Sequence, residues 1–79
     1  MVRLLTPQQC KAARAALGWP RPKLAAKAGI TTLTVRKFEN NEVEPHRRTV
    51  SSIAGVLTAA GIEFIDTDGE RPGIRFQRI

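Results

Sequence analysis

The sequence has few of the residue types on which most enzymes and metal proteins depend. Its 79 residues include no tyrosine, one tryptophan, one cysteine and one histidine. Because Cys10 is the only cysteine, an intramolecular disulfide is excluded, and with His46 as the only histidine a multi-ligand zinc site is not expected. A catalytic triad would have to use His46, which lies in a Glu-Pro-His-Arg-Arg run typical of an exposed helix start. We therefore expect no enzymatic activity, no metal and no cofactor.

Long hydrophobic runs are also missing. No stretch approaches the roughly 18 apolar residues of a membrane span, and the first ten residues lack a signal-peptide pattern. We expect a cytoplasmic protein without membrane association. The length fits one small domain with an aliphatic core. A domain of this size is marginal alone, so we expect help from a partner subunit.

Positive charge is abundant and lies in one half of the chain. Residues 1–48 carry ten basic and three acidic side chains, a net charge of +7, whereas residues 49–79 carry three and four, a net charge of −1. A field of one sign over half of a small domain favours binding to a polyanion.

Local signals predict where the first helix begins and ends. Thr6 is a predicted N-cap, Pro7 suits the first helical position, and Gln9 stands three residues after the cap, which together form a capping box. Gly18 suits the end of this helix. Cys10 lies on its apolar stripe, so we expect a small core residue rather than a reactive thiol.

Two shorter helices are expected next. The first spans residues 19–28 and ends at Gly29, which can adopt the positive φ of a sharp turn. Thr31 is the predicted N-cap of the second, whose inward face includes Val35 and Phe38. This assignment leaves Leu33 outward, either as a stray surface leucine or as part of a binding surface.

The rest of the chain predicts a fourth helix and a β-hairpin. Apolar residues from Val50 to Ala60 recur at helical spacing, and Gly61 ends that helix. Residues 62–65 and 74–76 alternate with period two on either side of a turn-rich loop. A lone hairpin is marginal in water, so the helices or a second subunit must cover its apolar face. That face comprises Ile62, Phe64, Ile74 and Phe76.

A short helix ending in Ala-Gly, a three-residue turn and a second helix with outward polar residues form a helix-turn-helix pattern. Its most specific stretches are residues 17–19, 24–31 and 35–40. On these residues the chain resembles the Cro/C1-type (Xre) helix-turn-helix family of bacterial and phage regulators over residues 4–60. The tail from Ala59 resembles a compact subgroup, frequent in alphaproteobacteria, that ends in strand.

The resemblance implies a mostly α, lambda-repressor-like fold of four to five short helices with a C-terminal β-hairpin or strand pair. Residues 1–61 would form the DNA-binding domain, and residues 62–79 a β extension that serves dimerisation. The expected partner is a double-stranded DNA operator in a bacterial cytoplasm, with the protein at the nucleoid when bound.

The resemblance also implies a set of site residues, because the third helix would lie in the DNA major groove. The implied base contacts are Thr32, Leu33 and Lys37. Arg21 is added as a base contact because it can bind a guanine bidentately, with a phosphate as its alternative partner. The implied phosphate contacts are Thr31, Thr34, Arg36 and Asn40. Arg47 and Arg48 are also expected to contact phosphate, because cations and free amides converge at the start of the fourth helix. The candidate subunit interface is the apolar hairpin face of Ile62, Phe64, Ile74 and Phe76. Pro20 and Arg21 depart from the family pattern, which usually has Ser or Thr followed by Gln, so the bonding of that Gln does not carry over unchanged.

Several alternatives remain open from the sequence. Lys11, Arg14 and Lys27 either contact DNA or are simply solvated, and His46 is expected at the surface. The favoured function is a homodimeric regulator that reads an inverted repeat, commonly as a repressor or autoregulator. A protein-interaction module of the same fold, an anti-activator or antitoxin that sequesters another regulator, is the alternative. The net charge of residues 1–48 argues against pure sequestration, since it suits phosphate binding.

Overall fold

A computed structural model describes residues 4–77, and it contains four helices followed by a two-stranded antiparallel hairpin. The predicted fold class is confirmed. Residues 1–3 and 78–79, which belong to the two predicted units, lie outside the described residues. The elements are α1 (Pro7–Leu17), α2 (Arg21–Ala28), α3 (Thr32–Glu39), α4 (Arg47–Ala59), β1 (Ile62–Ile65) and β2 (Gly73–Phe76).

The start of α1 is fixed by the predicted capping box. The Thr6 hydroxyl accepts a hydrogen bond from the Gln9 amide at 3.1 Å, and the Gln9 side-chain oxygen accepts one from the Thr6 amide at 2.8 Å. The backbone N–H groups of Thr6 and Gln9, which have no partner within the helix, are therefore both hydrogen-bonded in the first turn. At the other end Gly18 has a left-handed φ of 69°, as the sequence predicts.

The second helix begins two residues later than expected, at Arg21 rather than Trp19. Pro20 is its N-cap and has an extended ψ of 161°. A proline disfavours helical geometry in the residue before it, so Trp19 remains in the connection. Gly29 then ends α2 with a φ of 70°, and the Thr31 hydroxyl caps α3 by accepting from the Thr34 amide.

Every helix and the first strand contribute to a single small core. Val35 and Phe38 are buried, which confirms the predicted inward face of α3, and Ile53 and Leu57 confirm the apolar stripe of α4. The buried hydrophobic residues are Leu5, Cys10, Ala13, Leu24, Ala25, Val35, Phe38, Ile53, Leu57 and Ile62.

The helices of the same chain cover the hairpin. Strand β1 pairs with β2 in a register that places Ile62 opposite Phe76 and Phe64 opposite Ile74. Ile62 is 2% exposed and belongs to the core, while Phe64, Ile74 and Phe76 are partly buried against it. Ile62, expected at a subunit interface, therefore has almost no surface to offer a second chain.

The Gln9 side chain connects the start of α1 to both strands. Its amide nitrogen donates to the carbonyl oxygens of Ile65 at 3.1 Å and Gly73 at 3.0 Å, and it lies 3.2 Å from the Thr67 hydroxyl. The same side chain completes the capping box through its oxygen. One buried amide thus joins the N-terminus of α1 to the end of the hairpin.

A second buried polar residue, Glu39 at the end of α3, connects three helices. Arg14 of α1 binds both of its carboxylate oxygens, Nε to Oε2 at 2.6 Å and Nη2 to Oε1 at 2.7 Å. Arg21 of α2 donates from Nε to Oε1 at 2.9 Å, and the Cys10 thiol donates to Oε2 at 3.2 Å. The solvated interpretation of Arg14 is therefore wrong, because its guanidinium is paired with a carboxylate that has no exposed side-chain surface.

The charges in this cluster shift one another's protonation. Burial by itself raises the pKa of Glu39, but the hydrogen bonds from Arg14, Arg21 and Cys10 outweigh burial and hold that pKa below its ordinary value of 4.5. The hydrogen bond to Glu39 raises the pKa of Arg14 in turn. Burial, reinforced by the Glu39 carboxylate, raises the pKa of the Cys10 thiol, as expected for an inert core cysteine.

Replacing Gln9 with glutamate should destabilise the fold. The carboxylate keeps an acceptor for the Thr6 amide but has no N–H for the hairpin carbonyls, so buried oxygens face one another. We expect a loss of about 1–3 kcal/mol in the free energy of unfolding, measured by chemical denaturation. Gln8→Glu, the same change at the exposed neighbouring position, is the control and should have little effect. Equal losses in the two variants would contradict the role of Gln9.

Stability should fall in acid because of Glu39. Folding lowers its pKa. The stability that the ionised carboxylate contributes is therefore present above the pKa of 4.5 in the unfolded chain and is lost as the pH falls through the lower pKa of the folded protein. Thermal midpoints measured from about pH 7 to about pH 3 should therefore fall more steeply for wild type than for Glu39→Gln. Glu44→Gln, at an exposed position, should retain the wild-type profile. Parallel profiles for wild type and Glu39→Gln would refute this assignment.

Candidate nucleic-acid interface

The outward face of α3 is fixed by what its inward face binds. Val35 and Phe38 are buried, and Glu39 is held by two arginines. Because side chains three and four residues apart share a face of a helix, these anchors leave the opposite face in solvent. That face presents Thr32, Leu33 and Arg36 as exposed residues, with Lys37 half-buried beside them.

Leu33 is the most exposed large hydrophobic residue at this surface. Its exposed fraction is 49%, in the first turn of α3. Thr32 and Lys37 lie on the same face, so three of the four expected base contacts are brought together by one helix.

The amino end of α3 carries a pair of hydroxyl groups. Thr31 caps the helix, and its Oγ1 lies 2.8 Å from the Thr34 hydroxyl. These two expected phosphate contacts are therefore neighbours at the end of the helix that would enter the groove.

Arg21 and Asn40 meet at the other end of α3. Besides its bond to Glu39, Arg21 donates from Nη2 to the Asn40 side-chain oxygen at 3.5 Å. Asn40 in turn donates to the Glu42 carboxylate at 3.2 Å. Arg21, an expected base contact, is thus hydrogen-bonded to Asn40, an expected phosphate contact.

The N-terminus of α4 is strongly basic and open. Arg47 and Arg48 are exposed, the first turn has no acidic residue, and the N-cap His46 makes no side-chain capping bond. The two arginines line two adjoining open depressions, with Ser51 and Ser52 beside one of them. Unpaired helical amides next to two guanidinium groups suit an anion such as phosphate.

A further basic group lies on α2. The ammonium groups of Lys23 and Lys27 stand 5.5 Å and 5.3 Å from the centre of the Trp19 ring, within the range of a cation–π contact. Lys27 is therefore not simply solvated. Lys11 remains exposed on α1, and His46 is at the surface as expected.

Glu39 was not predicted to be a functional residue from the sequence, although its position in the helix indicates that it is buried. Glu39 follows Val35 by four residues, which places a carboxylate on the buried face of the helix. A buried charge requires a partner, and the chain offers several arginines without indicating which one reaches it.

The chemistry of this surface is that of hydroxyl groups, guanidinium groups, ammonium groups and helix amides. Among residues 4–77 there is no group of histidine, cysteine, aspartate and glutamate side chains suited to holding a metal ion. Over the same residues no helix has both the length and the apolar character that a membrane crossing requires.

Comparison with known proteins agrees with this geometry. A family model described as helix-turn-helix matches residues 11–58, which cover α2 and α3 together with most of α1 and α4. No curated protein matches the sequence. The match ends before the hairpin, so the subgroup with a strand extension stays a prediction. The chain belongs to the Cro/C1-type helix-turn-helix family of DNA-binding transcription regulators.

Proposed function

We propose that the protein is a homodimeric, sequence-specific regulator that binds an operator and represses either a nearby promoter or its own. Helix α3 would lie in the major groove and read an inverted repeat of double-stranded DNA. The net charge of +7 on residues 1–48, which contain the helix-turn-helix, supports this proposal because phosphate neutralisation supplies much of DNA affinity.

The exposure of Leu33 carries the proposal. A leucine that is 49% exposed between polar neighbours contributes little to folding, but it suits contact with the methyl group of a thymine. Lys37, one turn later, would donate to O6 and N7 of a guanine, and Thr32 would reach an adjacent base edge.

Residues around this face would position the protein on the backbone without reading sequence. At α4 these are Arg47 and Arg48, whose side chains are exposed beside the helix amides. The proposed phosphate contacts on and beside α3 are Thr31, Thr34, Arg36 and Asn40.

A second copy is part of the proposal because one recognition helix covers only half of a typical operator. Two copies related by a two-fold axis would present two α3 helices roughly 34–36 Å apart. The hairpin is the proposed interface: Phe64, Ile74 and Phe76 are only partly buried by the helices of their own chain.

Replacing the proposed base contacts should reduce specificity. A preferred duplex is first selected from random sequences, and its affinity is compared with that of a scrambled duplex at one salt concentration. Leu33→Ala and Lys37→Ala should each lower the ratio of the two affinities by about tenfold or more, since a base contact contributes roughly 1–3 kcal/mol of discrimination. The thermal midpoint should hardly change, because neither side chain is in the core.

Two substitutions serve as matched controls. Val43 is 45% exposed in the loop after α3, so Val43→Ala removes similar apolar surface away from the proposed contact. Lys11→Ala removes one exposed positive charge from α1. Both should retain the wild-type ratio. If Leu33→Ala and Lys37→Ala retained it as well, the recognition surface would be wrong and sequestration of another regulator would become the better proposal.

The oligomeric state can be tested on the full chain. Sedimentation over a range of concentrations should show a species of twice the 8.7 kDa chain mass. A duplex with two half-sites one helical turn apart should bind far more tightly than a duplex with one, because the second contact becomes intramolecular. A single-chain mass at every concentration, with equal affinity for both duplexes, would contradict the dimer.

A further inference from the structure

The Glu39 carboxylate is bound by more positive charge than it needs. Arg14 alone occupies both carboxylate oxygens, at 2.6 Å and 2.7 Å. Arg21 adds a third bond, at 2.9 Å, so two guanidinium groups share one carboxylate and the cluster carries a net positive charge. The Arg14 side chain is 17% exposed and that of Arg21 31%, so the excess charge lies on the side of Arg21.

The bond between Arg21 and Glu39 uses only the inner nitrogen of the guanidinium. Nε donates to the carboxylate, Nη2 lies 3.5 Å from the Asn40 oxygen, and within residues 4–77 Nη1 makes no hydrogen bond. The planar group is therefore held at its base, and Nη1 together with the second N–H of Nη2 is left to donate. An arginine fork in a fixed orientation suits a pair of acceptors rather than a single one.

We propose that Glu39 is a positioning residue for DNA binding, which holds Arg21 so that its outer nitrogens donate to a pair of acceptors on the duplex. The acceptors are two phosphate oxygens or O6 and N7 of a guanine. Arg14 pairs with the buried carboxylate of Glu39 on the inner side. Arg21 binds the same carboxylate from the more exposed side, so its guanidinium is oriented at the surface. This inference rests on the proposed function, since it requires that the protein bind DNA.

The shape of the side chain, and not only its charge, should decide the effect of substituting Arg21. We expect Arg21→Gln to lower the affinity for the selected duplex roughly tenfold, as for loss of a charge-assisted hydrogen bond. Arg21→Lys should lower it nearly as much, because one ammonium group cannot hold Glu39 and paired acceptors together. Arg71→Lys and Arg71→Gln, in the exposed hairpin loop, are the controls and should change nothing. Wild-type affinity in Arg21→Lys would overturn the proposal.

Substituting Glu39 gives a test in which two explanations predict opposite changes in DNA affinity. Removing a negative charge should strengthen DNA binding if only the overall field matters. If Glu39 positions Arg21, Glu39→Gln should instead weaken binding, and it should have no further effect in an Arg21→Gln background. Tighter binding by Glu39→Gln, or an equal loss in both backgrounds, would overturn the proposal. The comparison of Arg21→Lys with wild type does not depend on the folding of a Glu39 variant.

Two further readouts separate the possible outcomes. If an Arg21 variant loses affinity equally for the selected and scrambled duplexes, and the slope of log affinity against log salt concentration falls by about one per subunit, the acceptor is phosphate. If the variant loses affinity only for the selected duplex, the acceptor is guanine. If wild type binds no duplex, the proposed function and this inference both fail. If wild type binds and Arg21→Lys binds equally well, only this inference fails.

Discussion

The buried carboxylate of Glu39 is the charge on which the arrangement of the first three helices depends. Removing a carboxylate from water costs several kcal/mol unless partners are in place, and here Arg14 and Arg21 reach it from two other helices. Because α3 ends in this ion pair and begins at the Thr31 cap, both of its ends are fixed. The face that it turns outward follows from these constraints.

Helix α1 links the two halves of the molecule. Gln9 near its start holds the hairpin, and Arg14 further along holds the end of α3. If the hairpin is the subunit contact, this helix connects that contact to the recognition helix through these bonds. The net charge agrees with a division into a DNA-binding part and a subunit contact, since the basic residues are concentrated before residue 49 and the tail is close to neutral.

Features set by neighbouring residues were predictable from the sequence. The capping box of Thr6 and Gln9, the turn at Gly29 and the inward placement of Val35 and Phe38 all follow from spacings of a few residues. The bonds that join distant segments were not, because periodicity carries no information about them. Glu39 reaches Arg14 over 25 positions, and the Gln9 amide reaches Gly73 over 64. The start of α2 at Arg21 was also predictable, since the proline at position 20 disfavours helical geometry at Trp19.

The position of Trp19 has an optical consequence. The chain has no tyrosine, so its near-ultraviolet absorption and intrinsic fluorescence come almost entirely from one indole ring. That ring lies in the connection between α1 and α2, with two ammonium groups near its face and Arg21 two residues later. Its emission should therefore report on this one region, and it should change when a polyanion draws the lysines away from the ring.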